Sequence, residues 1–452
     1  MKLTRRNFVI ASGAAAVIGC KDRDPADTGA LEGSPARDPE PGPWEDAPGT
    51  LDPEAFAWSL QSGDVTASSV LLSCRCLEES VSIQIVRQDG ESWVLHGEFS
   101  ELISQNGVIH LQVDDLSADT AYRWVVLSAD GTRRSAIGRF RSALDADQDR
   151  VVIFGASSCL GRTGAPWLNL SNAAAQDLDF FALLGDTVYA DGSETREDYE
   201  AVWDQAMSTA GLHDLSASTS LVVTWDDHEV DNDWKAQNYA PELIEAATAV
   251  WRERMPLREG PGGTLYRHLR WGAVLDLFVL DCRGERGDDW SQMMSAEQLQ
   301  WLAEALAAST ARFKVVLTSI QVTDWSPVFG DFSVEDRWSG YPTQRAELLA
   351  ACADIPGLLF ITGDMHFGAL SYVEPAGQPN SHQLEVMAGP SGSRVNPLPG
   401  LYTGDTEQYP VLITDTDQWT WCRFECDATL GTITLQFRDD ADQIVAEEVL
   451  AL

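Results

Sequence analysis

The sequence predicts an α/β protein with a large layered sheet, preceded by a small all-β sandwich domain. Two observations support this prediction. From Leu51 to about Ala143, short alternating strands are separated by turn residues, and no segment shows a convincing helical period. From Arg150 onward, near-continuous Val, Leu, Ile and Phe runs alternate with helical segments, which is typical of strands buried on both faces. We therefore assign the sandwich to residues 51–145 and the α/β domain to residues 150–452.

The first twenty residues have the features of an export signal. Arg5 and Arg6 precede "ASGAAAVIG", an apolar stretch too short to span a bilayer as a stable helix. This pattern resembles a twin-arginine export signal. The stretch ends in "VIGC", similar to a lipobox, so we expect a lipid anchor on Cys20 and a periplasmic or extracellular location. Ordinary signal-peptidase cleavage, with Cys20 incidental, is the alternative.

Residues 21–50 are rich in Pro, Gly, Asp and Glu and contain few large apolar side chains. Such a segment buries too little surface to offset the entropy lost on ordering. We therefore predict a disordered tether between the anchor and the first domain.

The net charge of −39 restricts the possible partners. Nucleic acids and anionic membrane surfaces need basic patches, so the composition argues against nucleic acid as a partner and favours cations.

Eight cysteines in an exported chain permit disulfides, but their spacing is not that of a small disulfide-rich domain.

Individual segments support both domains. In the first, "LSADTAYRW" places Tyr122 where a tyrosine corner lies in a fibronectin-like sandwich. In the second, the helix "SAEQLQWLAEALAAS" opens with Ser295 and Gln298 in a capping-box arrangement. The C-terminal "WTWCRFECDATLGTITLQFRD" predicts further strands, a hairpin that closes the sheet.

Residues with metal-ligand chemistry follow several of the predicted α/β strands. They are Cys159 after "VVIF"; Asp186, Tyr189 and Asp191 after "FFALL"; Asp226, Asp227, His228 and Asn232 after "LVVTW"; Asp281, Arg283 and Arg286 after "VLDLFVL"; and Asp364 and His366 after "LLFIT". In layered α/β folds, ligands bind beyond the carboxyl ends of the strands. A solvated acidic turn would explain one such strand end. Carboxylates converging from several strands would repel one another unless two cations neutralised them, with one carboxylate bridging.

The motifs "ASSC", "GDTVY", "WDDHEVDN", "LDCR" and "GDMH" occur in this order and resemble the alkaline phosphatase D (PhoD-like) family of calcineurin-like metallophosphoesterases. The segments "FAWSLQSGDVTASSVLLSCR" and "DRWSGYPTQR" are also similar to that family, and the resemblance covers about residues 52–450. It implies a layered α/β/β/α fold. It also implies an exported phosphoesterase that acts on a small phosphate ester, with the choice between mono- and diesters open.

The resemblance further implies a centre of iron(III) with calcium. Its iron ligands would be Cys159, Tyr189 and His366, with Asp186 bridging the two ions. Thiolate and phenolate are charged ligands suited to ferric iron, whereas calcium prefers oxygen. The calcium oxygens would come from Asp186, Asp227, Asn232 and Asp364, although the motifs leave open whether Asp227, Asn232 or both bind. Zinc or manganese in place of these metals is also compatible with the motifs.

In the implied mechanism, a metal-activated hydroxide attacks phosphorus in line. Arg283 or Arg286 would stabilise charge on the phosphoryl oxygens, and His228 would orient the phosphoryl group or protonate the leaving oxygen. An ion pair between Arg283 and Asp281 is the alternative for that arginine. Two rival functions stay open: a non-catalytic calcium-binding surface lipoprotein, and a zinc or manganese hydrolase of another ester.

Overall fold

The computed structural model describes residues 17–18, 33–56, 60–287, 291–330, 334–404 and 407–452. Apart from Val17–Ile18, the predicted signal peptide, including Cys20, lies outside the described residues, as does the tether over residues 21–32. Within the described ranges, no helix combines the length and apolar character needed to cross a membrane.

The largest sheet has ten strands and carries most of the candidate ligands. They are β1 (Val17–Ile18), β3 (Leu60–Gly63), β4 (Val70–Arg75), β7 (Val108–Val113), β11 (Val152–Ser157), β12 (Phe180–Leu184), β13 (Ser220–Thr224), β21 (Thr420–Asp427), β22 (Thr432–Asp439) and β23 (Ile444–Ala451). Their order is β1-β23-β22-β21-β11-β12-β13-β3-β4-β7. The strands β11, β12 and β13 are mutually parallel, so their carboxyl ends share one edge. The predicted C-terminal hairpin is present as β21 and β22, and β21 pairs antiparallel with β11.

A second sheet has seven strands and lies against the first. They are β14 (Arg267–Trp271), β15 (Leu275–Val279), β16 (Phe313–Leu317), β17 (Leu358–Thr362), β18 (Gly368–Tyr372), β19 (Leu384–Met387) and β20 (Val411–Ile413). Their order is β14-β15-β16-β17-β19-β18-β20, with β15, β16, β17 and β19 parallel. One apolar core joins the facing sides of the two sheets, for example Phe154 and Phe180 with Leu277 and Val315.

Helices cover the outer faces of both sheets. The first sheet carries α1 (Leu168–Ala175), α2 (Arg196–Met207), α3 (Ala210–Ser218) and α4 (Pro241–Arg254), and the second carries α5 (Ala296–Ala308) and α7 (Pro342–Cys352), with the short α6 (Ser326–Phe329) preceding α7. The layers therefore run helix, sheet, sheet, helix. Ser295 caps α5 by accepting from the Gln298 N–H at 3.1 Å, but the Gln298 side chain binds Asp281 O at 2.9 Å and Glu285 instead of completing the capping box.

The N-terminal region is all-β, but it is not a separate sandwich. A third sheet is formed by β2 (Thr50–Leu51), β5 (Ser80–Asp89), β6 (Ser92–Ile103), β8 (Ala121–Ser128), β9 (Arg133–Arg134) and β10 (Gly138–Arg141). Its partner strands β3, β4 and β7 continue the ten-stranded sheet, because β3 pairs parallel with β13. The predicted domain boundary near residue 145 therefore does not divide the sheets. The tyrosine corner is present: Ser117 N–H donates to the Tyr122 hydroxyl at 2.8 Å.

Residues 33–50 correct the prediction of a tether that is disordered up to residue 50. Ser34 N–H donates to the Asp427 carboxylate at 3.0 Å, and Glu40 forms an ion pair with Arg123. Trp44 is only 9% exposed and packs on the third sheet. Average composition hides these contacts, because one tryptophan and a few correctly spaced charges are enough to dock a short segment.

Candidate metal centre

The structure brings the predicted strand-end residues of both large sheets to one place. Cys159 Sγ, a carboxylate oxygen of Asp186 and a ring nitrogen of His366 lie within 4.8 Å of one another. A second group with the same spacing contains Asp186, Asp227 and His228. Asp186 belongs to both groups, which is the arrangement expected of a carboxylate that bridges two ions.

Four of the predicted ligands share an unusual backbone conformation. Their φ angles are positive: 58° at Cys159, 53° at Asp186, 74° at Asp364 and 60° at His366. A non-glycine residue held in this region costs of order 1–3 kcal/mol, and such residues concentrate at functional sites. Strand ends turned in this way direct several side chains into the same space.

Glu229 fixes two of the ligand loops and was not identified from the sequence. Its buried carboxylate accepts from the backbone N–H groups of Thr187 at 2.7 Å, Asp226 at 3.0 Å and Asp186 at 3.2 Å. It therefore joins the loop after β12 to the loop after β13. The motif "DDHE" contains this glutamate, but nothing in its spacing shows that it faces backbone donors.

Tyr189 belongs to the first group of ligands. Its hydroxyl lies 3.1 Å from Asp186 Oδ2, 3.2 Å from His366 Nε2 and 2.5 Å from Ser393 Oγ. Ser393 Oγ accepts from Gly161 N–H at 3.1 Å, so its own proton is available to the tyrosine oxygen. Ser393 was also not identified from the sequence.

The two histidines of the site differ in their electrostatics. Burial and the neighbouring His228 lower the pKa of His366 to about 4, so its ring is neutral and suited to binding a metal. Burial opposes protonation of His228, but Asp186, Asp191 and Asp227 outweigh it and raise its pKa to about 10. His228 Nδ1 lies 2.6 Å from Asp191 Oδ1, which fixes the ring and leaves Nε2 for substrate or metal.

Asn232 and Asp364 lie at the same site with different surroundings. The Asn232 amide donates to Asp233 at 2.8 Å, and its side chain is exposed. Asp364 presents a buried Oδ2 that has no hydrogen-bond partner among the described residues. Asp364 O also accepts a weak contact from Cys159 Sγ at 3.7 Å, which connects the ends of β17 and β11.

The donor set fits a pair of cations. Burial, together with neighbouring negative charges, raises the pKa values of Asp186, Asp364, Cys159 and Tyr189. Asp186 Oδ1, like Asp364 Oδ2, is buried without a hydrogen-bond partner in the described part of the chain. Unpaired buried carboxylate oxygens are costly, and bound cations would supply the missing partners and favour the ionised ligands.

Arg283 and Arg286 do not lie where the sequence analysis placed them. Both side chains are fully buried and neither lines the cavity at the centre. Arg283 binds Asp226 Oδ1 and Asp336 Oδ1, each at 2.8 Å, and Arg286 binds Asp336 Oδ1 at 2.5 Å. This arrangement therefore contradicts the prediction that Arg283 or Arg286 contacts the phosphoryl group directly. The alternative pairing of Arg283 with Asp281 is also wrong, because the Asp281 carboxylate instead accepts from Trp225 and from backbone N–H groups.

The centre opens into a cavity of about 480 Å³. Its lining combines several of the predicted residues with three further charged ones that the sequence analysis did not assign, Asp233, Asp336 and Arg394. The lining residues are Asp227, His228, Asn232, Asp233, Asp336, Asp364, Met365, His366, Arg394, Val395, Asn396 and Pro397. The cavity is therefore strongly acidic, with one guanidinium in its wall.

Comparison with known proteins shows the family and supports the fold. The chain is 27% identical over 315 residues to alkaline phosphatase D of Bacillus subtilis, an alignment that covers 57% of this chain and 53% of the relative; the chain thus spans about half the length of that curated protein. It superposes on a solved structure of PhoD with a TM-score of 0.73 and 21% identity, covering 87% of this chain and 88% of the other. A purple acid phosphatase from yellow lupin seeds shares the fold, with a TM-score of 0.65, 14% identity and coverage of 87% and 74%. The sequence pattern of PhoD-like phosphatases matches residues 154–441, so the chain belongs to the PhoD-like phosphatase family.

Proposed function

We propose that this protein is a metal-dependent phosphoesterase that hydrolyses small phosphate esters. The observation that carries the proposal is the pair of ligand groups that share Asp186. A site for two adjacent cations at the mouth of an acidic cavity suits in-line displacement at phosphorus. Membership of the PhoD-like phosphatase family supports the same reaction class.

The ligand chemistry supports iron(III) at one position and calcium at the other. Cys159, Asp186, Tyr189 and His366 would hold the iron, since thiolate and phenolate ligands suit a ferric ion. Asp186, Asp227, Asn232 and Asp364 would hold the calcium through oxygen. When bound, the two cations would supply an acidified water and neutralise charge on the phosphoryl group. Zinc or manganese is the alternative metal content.

His228 has a separate role in this proposal. Asp191 holds its Nδ1, and its ring lies beside Asp186 and Asp227. A proton on Nε2 can pass to the leaving oxygen of the ester, which makes His228 the general acid. A ring nitrogen of His228 also lies within 4.8 Å of a carboxylate oxygen of Asp186, so both residues could bind the same ion. Metal binding by His228 is therefore the competing role.

One set of experiments tests the reaction and the metal content together. Purified protein is assayed with nitrophenyl and alkyl phosphate monoesters and diesters, and the same samples undergo elemental analysis. We expect hydrolysis together with iron, calcium and a visible charge-transfer colour. An inactive protein that retains calcium would favour the non-catalytic calcium-binding lipoprotein. A colourless, active zinc or manganese protein would favour the other rival.

Two variants separate the ligand from the acid. Asp186→Ala removes the shared carboxylate, so we expect it to lose bound metal as well as activity. His228→Ala should keep its metal and lose on the order of 10²–10⁴ in rate with alkyl esters. Its deficit should be smaller with nitrophenyl esters, whose leaving groups need little protonation. Equal deficits on both leaving groups would reject the acid role, and loss of metal would make His228 a ligand.

The proposal also includes export by the twin-arginine pathway and anchoring through Cys20. The supporting features are the two arginines, the short apolar stretch and the "VIGC" sequence. These features would place the phosphoesterase on the outer side of a membrane, close to esters in the surrounding medium.

A further inference from the structure

The loop after β19 is hydrogen-bonded to two predicted ligands that follow strands of different sheets, Cys159 after β11 and His366 after β17. Gly392 N–H and Ser393 N–H donate to Cys159 O at 3.1 and 2.9 Å, and Asn396 N–H donates to His366 O at 2.7 Å. A Cβ atom at Gly392 would lie 2.5 Å from Gly161 O, so only glycine allows this close approach. The backbone of Arg394, between these contacts, is therefore held in a fixed position beside the centre.

The Arg394 side chain has a different environment from its backbone. It is exposed, it lines the 480 Å³ cavity, and it forms no ion pair or side-chain hydrogen bond with another described residue. Arg283 and Arg286, by contrast, are occupied by buried carboxylates. Among the described residues that line the cavity, Arg394 is the one arginine or lysine.

The charge of the cavity makes this guanidinium important for an anionic substrate. Asp227, Asp233, Asp336 and Asp364 line the same space, within a chain of net charge −39. A phosphate monoester is largely dianionic near and above neutral pH, because the second pKa of such a group is about 6, whereas a diester carries one charge. A planar guanidinium binds two phosphoryl oxygens at once. Both ester classes offer two non-bridging oxygens, but those of the monoester carry the greater negative charge, so a positive charge stabilises the bound monoester more.

We infer that Arg394 binds the non-bridging phosphoryl oxygens of the substrate and sets a preference for phosphate monoesters over diesters. The inference rests on the proposed phosphoesterase function and names the substrate class of the same site. Arg394 would thus take the role that the sequence analysis gave to Arg283 or Arg286. The site ligands would remain as described, because Arg394 contributes only backbone contacts to them.

The test compares three variants of the full-length, metal-loaded protein. Arg394→Ala removes the guanidinium, Arg394→Lys keeps a point charge, and Arg252→Ala is the matched control. Arg252 is a partly exposed arginine on α4 whose charge faces Glu259 at 3.4 Å. Steady-state kinetics with a nitrophenyl monoester and a nitrophenyl diester, inhibition by inorganic phosphate and metal content are measured for each.

We expect Arg394→Ala to raise KM for the monoester and the inhibition constant for inorganic phosphate by roughly 10- to 100-fold, the usual effect of losing a charge-assisted hydrogen bond. KM for the diester should rise by less, so that the monoester preference falls. Arg394→Lys should recover part of the loss, and metal content should not change.

Three results would overturn the inference: kinetics of Arg394→Ala equal to those of Arg252→Ala, equal effects on monoester and diester, or loss of metal in Arg394→Ala. The failure of the proposed function looks different, because the unmodified protein would then hydrolyse neither ester.

Discussion

The buried cluster around Arg283 makes a quantitative prediction about stability. Its guanidinium lies 2.8 Å from both Asp226 Oδ1 and Asp336 Oδ1, with no exposed side-chain surface. Replacement by methionine keeps much of the volume but leaves buried carboxylates without their partner. Breaking a buried pair costs about 3–5 kcal/mol. Because Arg286 still binds Asp336, we expect a loss near the lower end, about 3 kcal/mol.

The assay is thermal unfolding of metal-free protein, so that loss of ligand affinity does not enter. In a chain of this size, about 3 kcal/mol corresponds to a lower Tm by roughly 3 °C. The double variant Arg283→Met/Asp226→Asn removes the unpaired charge and should recover about half of the loss. Arg252→Ala serves as the surface control. If Arg283→Met kept the Tm of that control and instead raised KM in the metal-loaded enzyme, Arg283 would contact substrate and the placement argued above would be wrong.

Three further outcomes follow from other contacts. Burial alone would raise the pKa of Asp179, but its ion pair with Arg150, with Nη2 to Oδ1 at 2.8 Å, outweighs burial and lowers it. The ionised Asp179 carboxylate therefore stabilises the folded protein at pH values above the pKa that Asp179 has in the unfolded chain. This stabilisation is lost as the pH falls through the pKa of Asp179 in the folded protein. The difference in unfolding free energy between the unmodified protein and Asp179→Asn should be large at neutral pH and smaller at roughly pH 3, and a pH-independent difference would contradict the assignment. Trp44→Ala removes a buried side chain and should cost about 3 kcal/mol and speed protease cleavage near residue 44; unchanged stability would show that residues 33–50 do not contribute to packing. Cys20→Ala should leave ester hydrolysis intact and release the protein from membranes, which fractionation checks; retention on membranes would count against the lipobox.

Much of the metal centre could be predicted from the sequence for a simple geometric reason. Parallel strands of one sheet present their carboxyl ends at one edge, so residues that directly follow apolar runs are the candidates to converge there. Cys159, Asp186, Asp227, Asp364 and His366 all meet this condition, and the structure places them together. Strand order did not need to be known for this conclusion.

The same rule could have found Arg394. Its loop follows β19, which is parallel to β17 and ends at the same edge. The run "LEVM" is short, however, and the residues after it lack carboxylates, so this strand end did not stand out. A systematic reading of every strand end would have included Ser393 and Arg394.

Other features depended on contacts that no local pattern contains. An arginine at the end of a strand can face a cavity or a neighbouring carboxylate. Arg283 faces a carboxylate because it pairs with Asp336, which lies more than fifty residues later in the chain. The continuity of β3 with β13 likewise depends on two exposed strand edges meeting, which is a non-local event. Periodicity and spacing thus determined the elements and the edge at which the chemistry lies. The packing of two sheets against each other decided which charges are neutralised inside the protein and which remain available to substrate, because a buried charge must pair with whatever the fold brings beside it.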